Sequence, residues 1–152
     1  MIVPFENIED FDYFETLFKM HGGVESNADY FDFREPTIKR KEFNKLAKKV
    51  RDELISKYGL VCQLNLISSC TNTPDHVDHF IPLSSNELNK KLRHMGTSKV
   101  DGKLKKVPTQ SFGSNHNVNF VLACAKCNNH KKHRFPSAET IEHIFNQRSC
   151  YD

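Results

Sequence analysis

Residues 119–129 read NFVLACAKCNN, and the reading of this stretch decides the fold. An apolar run ends at Cys124, a second thiol follows at Cys127, and Asn128 comes directly after it. β-forming residues running into AKCNNHKKH describe a short strand (118–123) that turns into a short helix at the first cysteine. Two thiols at this C-x-x-C spacing on a strand-to-helix turn can both reach one tetrahedral zinc ion. Cys62 and Cys70 lie upstream with a wider gap. Two readings of them are open. Either Cys62, Cys70, Cys124 and Cys127 ligate Zn²⁺ together, or one of the upstream pair is a small buried hydrophobe, with His76 or no metal in its place. Cys150 stands apart near the tail as a free thiol.

Composition limits the classes available. The chain has 152 residues, 38% hydrophobic and 27% charged, which describes one globular domain rather than a disordered segment. Twelve Phe and no Trp predict a core built on Phe. The start, MIVPFENIEDF, has no basic leader followed by an apolar stretch, and no run approaches the ~18 apolar residues of a membrane span. A cytoplasmic protein without membrane contact is the expectation. In a reducing compartment, paired cysteines bind metal more often than they form disulfides, and five is an odd number to pair. The net charge of +3 is unevenly spread. Residues 1–32 hold eight acidic and one basic side chain, whereas residues 33–134 hold twenty basic and eight acidic ones, a balance of +12. Such a block attracts a polyanion.

The periodicity places the remaining elements. Ile8, Phe11, Phe14, Leu17 and Phe18 follow helical spacing over 7–20, closed by Gly22-Gly23. This acidic segment (1–36) is expected to pack its Phe stripe on the domain, with a self-inhibitory or partner-binding role as the alternative. Phe43, Leu46, Ala47, Val50 and Leu54 predict a helix over 37–58, capped by Thr37 and ended by Gly59. Its other faces carry Lys39, Arg40, Lys41, Lys45, Lys48, Lys49, Arg51 and Lys57. LVCQLNLI (60–67) and VDHFIPL (77–83) read as strands, the second ending at Pro82. Residues 84–116 read as a long polar loop, and 137–147 as a final amphipathic helix.

The second chemistry-bearing stretch is PDHVDHFIPLS at 74–84. The Asp78 carboxylate is a hard ligand suited to Mg²⁺, and the His79 imidazole can take a proton from water near neutral pH. Asn128, fixed beside the Cys127 thiolate, offers a further oxygen. An Asp-His pair alone is weak; joined to the C-x-x-C-N turn it is specific.

DHVDHFIPLS followed by NxNFVLACAKCNNHKK resembles the HNH endonuclease family, the ββα-metal nucleases with a four-cysteine zinc site. The lead-in VRDELISKYGLVCQL is similar as well, so the likeness covers roughly residues 48–134. It implies an α+β fold with a treble-clef-like ββα-metal core (37–135), to which this chain adds the N-terminal helical extension, an inserted loop (84–116) and a C-terminal helix (136–152). It implies His79 as general base, Asp78 and Asn128 as ligands of one Mg²⁺ or Mn²⁺, and structural Zn²⁺. Asn119 would hold the loop that orients the catalytic histidine. The last motif position meets Lys131 and Lys132 instead of histidine, which assigns these lysines to phosphate, with His130 and His133 as weaker candidates.

Thirty-six residues separate Pro82 from Asn119, a longer spacer than the family usually has. Its Arg93, Lys105 and Lys106 are candidates for substrate contact. The activity implied is hydrolysis of phosphodiester bonds in DNA, expected as duplex, leaving a 5′ phosphate. One copy would nick and a homodimer would cut both strands. The alternative is a zinc-containing nucleic-acid-binding module without catalysis.

Overall fold

In the computed structural model, which describes residues 3–151, the two quoted stretches lie side by side. In chain order, helices α1 (Ile8–Leu17), α2 (Gly23–Ser26) and α3 (Pro36–Tyr58) precede strand β1 (His76–His79). There follow β2 (Ser84–Ser85), α4 (Glu87–Lys91), a hairpin of β3 (Lys99–Val100) and β4 (Lys103–Leu104), and β5 (Gln110–Ser111). Strand β6 (Phe120–Ala123) and helices α5 (Ala125–Lys131) and α6 (Ala138–Ser149) complete the chain. The class is α+β: helices around small antiparallel pairs, β1 with β6, β2 with β5 and β3 with β4.

The central pair sets Asp78 against Val121 and His79 against Phe120. All four residues of β6 are buried, which explains its unbroken apolar sequence. Helix α3 covers this pair by laying Phe43 and Val50 on Phe120, with Ala47, Leu54 and Val77 at the edge. The larger core is the Phe cluster that composition foretold. Phe14 of α1 meets Phe31 and Phe135 edge to face, each at 5.0 Å between centroids, and Phe112 at 5.3 Å with the rings tilted. The N-terminal stripe therefore packs inward, although Ile8, expected on it, is exposed.

Several expectations need correcting. Helix α3 starts at Pro36 with Glu35 in the cap position, so Thr37 lies inside the first turn. Pro36 fits there because its missing N–H is one the first turn leaves unpaired anyway. Gly59, with φ 88°, ends the helix as predicted. Leu46 is exposed rather than on the packed face.

Residues 60–67 form no strand. Asn65 takes a left-handed conformation (φ 44°) that turns the chain, and only Gln63 docks on β6. Its N–H donates to the Leu122 carbonyl and its side-chain oxygen accepts from the Leu122 N–H, each at 2.8 Å. Residues 84–116 are not a plain loop but carry α4 and four short strands.

Lys39, read from the sequence as one of a basic surface row, is fully buried. Its Nζ donates to the carbonyls of Asp32 (2.7 Å), Leu83 (3.0 Å) and Gly113 (2.6 Å). Burial pulls its pKa down to about 8, so it stays protonated at neutral pH and fills all three bonds. One ammonium thus ties together the N-terminal segment, the chain entering β2 and the return from the insert. Gly113 permits this closeness, because a Cβ there would collide with the backbone of Ile81 and Pro82. Lys39→Met should take the Gly113 carbonyl's donor away and leave the Asp32 and Leu83 carbonyls with only Ser111 Oγ and the Phe112 N–H. Unfolding stability in urea titration should fall by about 1–3 kcal/mol, the cost of one unsatisfied buried group.

Candidate active site and metal centre

The two cysteine pairs converge. The sulfurs of Cys62, Cys70, Cys124 and Cys127 all lie within 4.8 Å of one another, and Cys70 and Cys124 are 3.7 Å apart. A tetrahedral zinc site with Zn–S of ~2.3 Å has sulfurs ~3.8 Å apart, so these four could hold such an ion. His76 is not part of the cluster, and Cys150 is free and exposed.

Local backbone builds the site. Backbone N–H groups of Asn65, Leu66, Asn72 and Cys127 point at the sulfurs of Cys62, Cys127, Cys70 and Cys124 respectively. Left-handed Asn65 (φ 44°) and Asn72 (φ 54°) make the turns that allow it. Burial opposes ionisation of Cys124, but hydrogen bonds from Cys127 and Thr71 outweigh it and bring the thiol down to about 6. Burial and the neighbouring thiols push Cys70 up to about 12. Cys124 is thus favoured as a thiolate while Cys70 is not, and a bound divalent cation would favour the thiolate form.

Beside this centre lies a cleft of about 910 Å³. Asp78 and His79 from β1 and Asn128 from α5 line it. Arg40, Lys48 and Arg51 of α3 line one side, and Lys132 and His133 lie just past α5. Arg40 and Arg51 are partly fixed, Arg40 over the Phe43 ring at 5.9 Å and Arg51 by donating to the Pro74 carbonyl at 2.9 Å.

The His79 ring is held on three sides. It packs edge-on against Phe43 and Phe120, at 4.5 and 5.3 Å between centroids. Its Nε2 lies 2.8 Å from Asn115 Oδ1. The Asn115 amide is itself oriented, since its Nδ2 donates to the Lys39 carbonyl at 2.8 Å. An oxygen facing Nε2 requires that nitrogen to carry the proton, which leaves the lone pair on Nδ1. Burial lowers the His79 pKa from 6.5 to about 4, with Asn115 acting against the shift. The ring is therefore a neutral base throughout the physiological range.

Asp78 is buried, and Lys131 Nζ stands 2.9 Å from its Oδ2. The pair lacks hydrogen-bond geometry, so Oδ2 has no hydrogen-bond partner among the described residues. Burial raises the Asp78 pKa and Lys131 opposes the rise.

The structure brings Asp78, His79 and Asn128 together and places Asn119 behind them. Asn119 Oδ1 accepts from the Ile81 N–H (2.7 Å), and its Nδ2 donates to the carbonyls of Ile81 and Ser114 (2.9 Å each). It thereby holds the chain just past His79 and the segment that carries Asn115. The assigned phosphate contacts divide. Lys132 faces the cleft, but Lys131 turns inward to Asp78. Arg93 is taken by the N-terminal helix, pairing with Asp10 at 3.0 Å and Glu9 at 3.1 Å, because a buried Asp10 needs a counter-charge. Lys105 and Lys106 line a separate groove.

The sequence reading did not single out Asn115, whose role rests on a contact thirty-six positions from His79. Nor did it choose Arg40, Lys48 and Arg51 among eight similar residues on one helix. No family model, curated protein or solved structure matches the chain, and no described helix is long and apolar enough to cross a membrane.

Two outcomes are expected. Purified protein should carry one zinc per chain by metal analysis, lost in Cys62→Ser or Cys124→Ser and kept in Cys150→Ser. Second, the unfolded chain protonates His79 near 6.5 and the folded chain only near 4. This group's contribution is therefore intact above pH 6.5 and declines as pH falls toward 4. Urea midpoints at pH 7 and 4.5 should differ less in His79→Phe than in the wild type.

Proposed function

We propose that the chain is a metal-dependent DNA endonuclease of the HNH type. The observation that carries this reading is the cleft in which an oriented, neutral histidine stands beside a buried carboxylate under a row of arginines and lysines. A zinc module that only binds needs basic side chains; it needs neither a histidine with its tautomer fixed nor a carboxylate set against it in the cleft.

The residues fit a divalent cation. Asp78 Oδ2 is a buried oxygen without a hydrogen-bond partner among the described residues, and Asn128 offers a neutral oxygen in the same cleft. These are the hard donors that Mg²⁺ or Mn²⁺ prefers. Bound there, the ion would supply Lewis-acid neutralisation of the charge that builds on the phosphate and the departing 3′ oxygen.

The protein's own groups do the rest. Arg40, Lys48, Arg51 and Lys132 draw the DNA backbone into the cleft and hold the scissile phosphate. His79 accepts a proton at Nδ1 from a water as that water's oxygen bonds to phosphorus. The bond to the 3′ oxygen breaks, the 3′ oxygen takes a proton from solvent, and the products are a 5′ phosphate and a 3′ hydroxyl. Asn115 keeps Nδ1 as the unprotonated nitrogen. Asn119 keeps the strand end in place, and the cysteine centre anchors the turn that presents Asn128. One such site cuts one strand, so double-strand cleavage requires a second copy.

Supercoiled plasmid with Mg²⁺ should be nicked or linearised, with activity abolished by EDTA. His79→Ala should lose the ~10²–10⁴-fold that a positioned general base contributes. Asn115→Ala should lower kcat and leave KM for DNA nearly unchanged. Plasmid that shifts in gels with Mg²⁺ or Mn²⁺ but stays uncut would overturn the nuclease reading in favour of the binding module.

A further inference from the structure

Lys131 departs furthest from the role its sequence position suggested. It lies at the end of α5, 4% exposed, where it can meet no external phosphate. Its Nζ donates to the His79 carbonyl at 3.1 Å and stands 2.9 Å from Asp78 Oδ2. The one carboxylate at the base of the cleft therefore already has a cation against it. Asn128, the other oxygen donor, is neutral. Around them the cleft carries Arg40, Lys48, Arg51 and Lys132 against one further acid, Asp75. A divalent cation entering the free protein meets positive charge in excess. Sites that hold such ions by protein alone supply several carboxylates; sites with one or two rely on substrate phosphate.

We propose that Lys131 is a charge gate. By neutralising Asp78 it keeps the free protein's affinity for a divalent cation low, so that the cation binds together with a phosphodiester, whose negative charge replaces what Lys131 has cancelled. This rests on the reading of Asp78 and Asn128 as the cation's ligands. Linkage makes the effect reciprocal: if phosphodiester tightens the cation, the cation tightens DNA by the same factor. The free protein is then a nuclease without its ion, armed only on its substrate. Lys131 acts through Asp78 and is a positioning residue rather than a catalytic one.

The test is Mn²⁺ binding to the full zinc-loaded chain without DNA, read from loss of the free-Mn²⁺ signal in electron paramagnetic resonance. Wild type and Lys131→Arg should bind weakly. Lys131→Met and Lys131→Gln should gain one site about tenfold tighter or more, since a unit charge a few ångströms away weighs heavily even when well screened. Adding Asp78→Asn should remove the gain. Circular dichroism and zinc content establish that each form is folded, and either folded variant decides. No gain, or a gain that survives Asp78→Asn, overturns the gate.

A second measurement needs no variant. Fluorescence anisotropy of a labelled duplex at constant ionic strength should show wild-type binding about tenfold tighter or more in Ca²⁺ than in EDTA, and equal affinities would overturn the proposal. The two readings fail separately. Plasmid cleavage without a Mn²⁺ gain in either variant removes the gate and keeps the nuclease. An Asp78-dependent gain with no cleavage by any form keeps the gate and removes the nuclease.

Discussion

Four sulfur atoms from two distant parts of the chain must meet at one point, and much of the structure answers to that demand. The loop from Cys62 to Cys70 has to turn back on itself, which Asn65 achieves by adopting positive φ, and Asn72 turns the chain again just past Cys70. The strand before Cys124 has to stop and coil at once, so that Cys127 returns to the first pair a helical step later. A metal ion held there would cross-link the two parts of the chain and contribute what extra core contributes in a larger protein. Its reach extends beyond the cysteines. Fixing the start of α5 fixes Asn128, and fixing the end of β6 fixes the register that faces Asp78 with Val121.

At the other end of β1, polar groups do the equivalent work. Asn119, Asn115 and Lys39 form a connected set behind His79, each bonded to backbone from a different segment. Their partners are main-chain carbonyls and amides, which cannot drift as side chains do. The histidine's orientation is thereby set by the fold itself. The Phe43 and Phe120 faces add the apolar environment that keeps the ring uncharged.

How much of this was legible in the sequence follows from the range of each interaction. The strand-to-helix turn at Cys124, the long helix ended by Gly59 and the Phe core were readable because local spacing and composition determine them. The four cysteines that converge were readable as a set because chemistry restricts which residues could hold an ion. Residues 60–67 misled because their apolar character serves burial around Gln63 and the cysteines, not strand pairing. Lys39 and Arg93 misled for a related reason. Charge predicts exposure on average, and nothing local reveals that three carbonyls or a buried Asp10 await a particular cation. Asn115 had no local signal at all; its meaning exists only once β1 and the end of the insert lie side by side.

The contact between Arg93 and Asp10 has a consequence for how such a chain can change over time. Arg93 also binds Asn89 at 2.7 Å and Gln110 at 3.0 Å, while Gln110 reaches Asp10 at 2.9 Å. The insert and the N-terminal helix are thus fastened to each other across a shared buried charge. Neither is a portable accessory: a recombination that delivered one without the other would leave a carboxylate or a guanidinium stranded in the interior. The two segments have to be gained, lost or replaced as a single inheritable unit, although the chain separates them by more than eighty positions.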